Sequence, residues 1–207
     1  MRPENFDFLS NLNTLWAVAI GAVLATLGGF VATQLEGFLE HRRRERNAAL
    51  FFGELLATLS LILAFSRTNR SVGDPYGPIT MRTLRAARRE IDIYDRNRET
   101  LFDLRHHELR ARIHTAMIRT TMPLEGIFDA TREITDAQVV LKSVSGLAPE
   151  AIKEIEDRAA ELRVSRDASF DFILENNDGQ IQKLIKDLEP LAKHSFEETA
   201  KAVRNSV

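Results

Sequence analysis

The densest run of chemistry-bearing side chains in this sequence is DLRHHELRARIH, Asp103 to His114. On one helix, Glu99, Asp103 and His107 stack at four-residue spacing, and Asp103 with His106 makes a carboxylate-x-x-His pair. Helical di-iron sites need such a pair from each of two helices, with further Glu residues. The residues three before the other histidines are Phe38, Leu104, Ala111 and Leu191, none of them a carboxylate. Arg105, Arg110 and Arg112 also bring positive charge to where a metal would sit. HHELR puts Ala111 where a zinc-binding HExxH needs its second histidine. A solvated, salt-bridged helix face is the better reading.

Other catalytic patterns fare no better. VGDPYGP lacks the lysine and the strand–loop–helix setting of a phosphate-binding loop. Serines occur without a His and Asp constellation, and with no cysteine there is neither a thiolate nucleophile nor a thiolate metal site. The expectation is a protein that is not an enzyme and takes no metal or cofactor.

Two charged features remain. Glu54 interrupts an apolar run, and the expected account is an ion pair with an Arg from a neighbouring helix. Arg82, Arg85 and Arg89 share one helical face. From 82 to 119 there are ten Arg against six acids, whereas 120 to 207 holds eleven Lys plus Arg against seventeen acids. The plainer reading pairs the Arg face with the acidic C-terminal helices. Anionic headgroups are the alternative, and nucleic acid is disfavoured because no aromatic platform or recognition motif accompanies the arginines.

The elements that carry these residues are helical. No charge falls between Asp7 and Glu36, and 12–35 is mostly apolar. A bilayer core of about 30 Å takes about 20 helical residues, so 12–35 is read as a transmembrane helix. Trp16 stands near one end, as interfacial aromatics do. Arg42, Arg43, Arg44 and Arg46 follow the span, while only Arg2 and the terminal amine precede it. That order argues against a cleaved signal and places the N-terminus outside with the bulk of the chain in the cytoplasm. The four arginines are candidate contacts for anionic lipid headgroups. Ala17, Gly21, Ala25, Gly29 and Thr33 recur every fourth residue and form a shallow stripe suited to close helix–helix packing.

Residues 48–65 form a second apolar run, interrupted by Glu54. Residues 36–47 contain no tight-turn signal, so one helix is expected to leave the membrane and continue to about Ser66 as the central helix of a bundle. A two-span hairpin is the alternative. NRSVGDPYGPIT reads as a loop, with Thr80 capping a helix from Met81 to about Phe102. A third helix spans about 105–144, kinked or divided at Pro123. A fourth starts at Glu150, with an interruption near 175–180. No stretch alternates with period two, so no sheet is expected. The fold class is all-α: one transmembrane helix continuing into a long cytoplasmic helix packed in an antiparallel bundle. The divisions are 1–11 outside, 12–35 in the membrane, 36–68 juxtamembrane and core helix, 69–80 loop, and 81–207 cytoplasmic bundle.

IGAVLATLGGFVATQLE followed by HRRRER, with IYDRNRETLFDL ahead of an apolar-periodic helix, resembles a set of uncharacterised bacterial single-pass inner-membrane proteins. The resemblance covers roughly Trp16 to Thr120. It implies a span leading into a cytoplasmic helical bundle and carries no catalytic residue or ligand. The functional expectation is a membrane-anchored scaffold or accessory subunit that binds another membrane protein, or itself, through the small-residue stripe. A sensor of lipid state is the first alternative, and a two-span oligomeric pore the second.

Overall fold

A computed structural model describes residues 4–144 and 148–196, with side chains described at 16, 18–144 and 148–196. The described residues are helical and contain no strand. In chain order the helices are α1 (Glu4–Arg70), α2 (Pro78–Arg96), a 3-10 segment (Arg98–Asp103), α3 (His107–Ser143), α4 (Pro149–Asn176), a π-helical turn (Asn177–Ile181) and α5 (Gln182–Ala192). The chain divides into two compact units, Met1–Arg44 and Glu45–Val207.

α1 is unbroken through 36–47, where a hairpin of two spans needs its turn. The unit from Glu45 onward is a helical bundle with α1 at its centre. Ala48, Ala49, Phe52, Leu55, Leu56, Leu59 and Leu63 are all buried there. Around them pack Leu84, Ile91 and Tyr94 of α2, Ile113, Met117, Leu124 and Ile127 of α3, Phe170 and Ile173 of α4, and Leu184 and Leu188 of α5. Helical spacing of three and four residues is what brings these side chains to one inward face of each helix.

Several local expectations change. α2 begins one turn early, at Pro78 with Gly77 as N-cap, and Thr80 is buried inside the helix instead of capping it. Proline suits a first helical position because the amide it lacks has no intrahelical partner there. Its far end stops at Arg96: the Asn97 amide bonds the carbonyls of Ile93 and Tyr94, and its side-chain Nδ2 donates to Ile93 O at 2.8 Å. Pro123 does not divide α3, which runs from His107 to Ser143 with Thr120 and Leu124 buried on either side of it. The expected break in the fourth helix is the π-helical turn at Asn177–Ile181.

Candidate membrane helix and its contact face

Every described side chain from Val18 to Glu36 is exposed. Trp16, Leu24 and Phe30 each leave over 60% of their surface uncovered (62%, 63% and 62%). With about 100° between successive helical residues, Trp16, Ile20, Val23, Leu24, Leu27, Phe30 and Val31 fall on one half of the circumference. Gly21, Ala22, Ala25, Gly28, Gly29, Ala32 and Thr33 fall on the other together with Val18, so the helix is apolar all round and, Val18 apart, bulky on one half. Four of the five expected contact residues, Gly21, Ala25, Gly29 and Thr33, lie on that small half, while the side chain of Ala17 lies outside the described residues. A Cβ at Gly21, Gly28 or Gly29 would meet nothing within 4 Å. Thr26 and Thr33 turn their hydroxyls back onto the carbonyls of Ala22 (2.8 Å) and Gly29 (2.9 Å), which satisfies them within the helix. Among the described residues α1 is the one helix long and apolar enough to cross a membrane, though its most apolar window, of mean hydropathy 2.1, is half buried and so falls in the core-forming second half, not in the exposed first half.

The four expected headgroup residues are exposed but differ in what they touch. Arg42 and Arg43 have no ion-pair partner among the described residues, whereas Arg44 pairs with Glu40 one turn earlier. Arg46 donates from Nε to the carbonyl of Ala192 at 3.1 Å, placing its charge at the negative end of α5.

Two expected ion pairs are absent. Glu54 is exposed and unpaired among the described residues, because it falls on the one strip of α1 that the other helices leave open. Arg82, Arg85 and Arg89 are likewise exposed and unpaired among the described residues. The arginines that do reach acids on later helices are others, Arg88 with Glu125 (2.8 Å) and Arg112 with Asp187 (2.7 Å).

The Asp103–His114 stretch is not one helix. The 3-10 segment ends at Asp103, Leu104 is extended, and α3 starts at His107, so Glu99, Asp103 and His107 do not stack. No group of metal-binding side chains assembles among the described residues. His114 instead joins a clip: Nδ1 lies 2.8 Å from the Tyr94 hydroxyl and Nε2 lies 3.2 Å from the Arg98 guanidinium. A guanidinium can only donate, so Nε2 is the unprotonated nitrogen and Nδ1 carries the hydrogen. Burial, then the Arg98 charge, lowers the His114 pKa against the opposing pull of Asp95. Burial pushes the Tyr94 hydroxyl up to about 12.

A second cluster gave no sequence signal, because its members come from distant positions. Arg70 reaches Asp167 at 3.0 Å and Asp171 at 2.7 Å while its guanidinium lies 4.6 Å from the Phe170 ring centre. Tyr76 donates to Asp167 at 2.7 Å, and Arg166 stacks 3.6 Å from the Tyr76 ring centre. Burial, reinforced by the hydrogen bond to Asp167, raises the Tyr76 pKa. Burial pulls the Arg70 pKa down, but the hydrogen bond to Asp171 and the surrounding negative charges outweigh it and hold it raised. The cluster fastens the 71–77 loop to α4. A polar layer nearer the core links other elements: Asn176 donates to Ala116 O and Thr120 Oγ1 (3.0 and 2.9 Å), and Gln182 donates to Ser60 Oγ.

No protein-family model matches the chain, and no curated protein or solved structure matches it significantly.

Proposed function

We propose that the chain is a membrane-anchored scaffold or accessory subunit without catalytic activity. The observation that carries this reading is the contrast along α1: its first half leaves its large apolar side chains exposed, while Ala48 to Leu63 build the bundle core. So large an uncovered apolar surface calls for a cover, and bilayer hydrocarbon covers all sides of a helix at once. Residues 16–35 of a helix rise about 30 Å, the thickness of that hydrocarbon.

In this reading 12–35 spans a bacterial inner membrane. The N-terminus lies outside and the bundle in the cytoplasm, in keeping with the arginines that follow the span. The small half of the helix, with Ala17, Gly21, Ala25, Gly29 and Thr33, takes a partner span from another membrane protein or a second copy. Small residues let the two backbones approach closely where lipid offers no hydrophobic drive. Arg42, Arg43, Arg44 and Arg46 lie at the headgroup level. A lipid-state sensor is the second reading, favoured by the unpaired Arg42 and Arg43.

The experiment is mild-detergent extraction of the tagged protein from its native membrane, with stoichiometry by native mass spectrometry and a C-terminal topology reporter. The expected result is a fixed-stoichiometry complex with the reporter in the cytoplasm. A monomer would overturn the scaffold reading, an outward C-terminus the topology, and recovery without detergent the anchor itself.

A further inference from the structure

α3 and α4 continue past the main apolar core. The last core member on α3 is Ile127 and the first on α4 is Phe170. Between these positions the two helices form an arm, whose buried residues are Ala130, Ile134 and Ala159. Its seam does not close. An open groove of about 370 Å³ runs along it, with Val140, Ile155 and Leu162 as apolar lining and Glu133, Asp136 and Glu154 as acidic lining. Val140 is 39% exposed there. Arg158, which also borders the groove, is held by Glu133 (3.6 Å) and Glu161 (3.5 Å). Asp136 and Glu154 have no ion-pair partner among the described residues.

The complementary surface is on α2. Arg82, Arg85 and Arg89 share its exposed face with Ile79 and Ile93, which are 66% and 38% exposed. This is a basic amphipathic helix face, the shape and charge that an apolar groove with acidic edges accepts. Within one chain the two sets of charges stay apart, since the pairs between α2 and α3 are made by Arg88 instead. Exposed charges of opposite sign are thus left on α2 and on the α3–α4 arm of the same molecule.

We propose that these surfaces meet between copies: the α2 face of one molecule lies in the α3–α4 groove of a second. Ile79 and Ile93 contact the apolar lining, and Arg82, Arg85 and Arg89 neutralise Asp136 and Glu154. Because face and groove are distinct surfaces, the contact is head-to-tail and passes from copy to copy unless its rotation closes a ring. The inference rests on the scaffold reading only for confinement of the copies to one membrane; the contact itself needs no span.

The test is sedimentation of the full chain in nanodiscs at low and high salt. The wild type is expected to form salt-sensitive assemblies, because the charges lie at the edge of the contact. R82E/R85E/R89E and D136K/E154K should each weaken self-association at least about tenfold, as like charges then face each other. Mixing the two variants, or combining all five changes in one chain, should restore it. All five positions are exposed, so circular dichroism melts should confirm that the variants still fold. A wild type that stays single at low salt overturns the proposal, as does association that ignores both reversals. Loss of binding to phosphatidylglycerol vesicles by R82E/R85E/R89E, with assembly unchanged, gives the α2 face to lipid and also overturns it. G21L/G29L separates the two readings: it removes assembly through the span and leaves the salt-sensitive contact in place. Should the protein prove soluble, the same sedimentation is run without nanodiscs.

Discussion

The far edge of the Phe196 ring occupies the space that a Cβ at Gly53 would fill. Gly53 lies on the buried second half of α1, and Phe196 follows α5 with 1% of its surface exposed. The left-handed Lys193 (φ 53°) turns the chain back after α5, and the Phe196 amide donates to Glu189 Oε1 at 3.0 Å. The glycine is therefore a socket for a ring from the far end of the chain.

Gly53→Ala should destabilise the bundle by about 1–3 kcal/mol, the usual cost of forcing a methyl into a filled core. Phe196→Ala should cost about 3–5 kcal/mol by leaving a cavity. Urea melts of both single variants and the double variant check the contact: the double should cost clearly less than the sum, since each change relieves the other. Full additivity would mean the ring does not sit on Gly53.

The Arg70 cluster makes a separate claim about the loop after α1. Tyr76→Phe removes the hydroxyl that donates to Asp167 and should cost about 1 kcal/mol. Arg70→Met keeps much of the apolar stem over Phe170 but drops both ion pairs, and it should cost more than Tyr76→Phe. Hydrogen exchange should show faster opening of amides 71–77 in Arg70→Met, with those of 48–63 unchanged. Equal protection in the two proteins would show that the cluster does not fasten the loop.

Much of this was legible because helix and core are written in local periodicity. The unbroken α1, the buried run from Ala48 to Leu63 and the π turn near 175–180 follow from residues close in sequence. The break between α2 and α3 was expected at about 102–105, but α2 ends sooner, at Arg96, ahead of the 3-10 segment, and no glycine or proline in 96–107 marks that point. Asn97, a residue that ends helices well, was the available signal. Glu54 and Arg82 were misjudged for one reason: apolar spacing tells which face is inward, but not which charges end within reach of each other. Contacts such as Gly53 with Phe196, Arg46 with Ala192 O and Arg70 with Asp167 join residues far apart in the chain, and nothing local encodes them.

The His114 clip predicts a pH dependence of stability. The folded state lowers the His114 pKa below its ordinary value of 6.5, so its imidazole resists protonation more than in the unfolded chain. Well above pH 6.5 both states are neutral at this site and it contributes no pH dependence. As pH falls through that value the unfolded chain takes up the proton first, and the fold loses stability. Melting temperatures from pH 8 to 5 should fall less steeply for His114→Gln than for the wild type. Arg98→Met, which removes the facing charge, should shift the His114 titration upward by NMR. An unchanged slope in His114→Gln would place the acid sensitivity elsewhere.

The small half of α1 gives the most direct separation of folding from assembly. Gly21 and Gly29 have open space where a side chain would go, so leucine at both positions clashes with nothing in the chain's own fold. Helix propensity also favours leucine over glycine, by several tenths of a kcal/mol or more per site. G21L/G29L should therefore melt at or above the wild-type temperature. Two bulky side chains on that face would nonetheless hold any partner backbone away, because close approach depends on the absence of a Cβ. Native mass spectrometry of the extracted complex should then show the partner lost while the bundle stays folded. The control is G21A/G29A, which keeps the face small and should retain the partner at least in part. Retention of the full complex in G21L/G29L would move the partner's contact to the bulky half, around Leu24, Leu27 and Phe30.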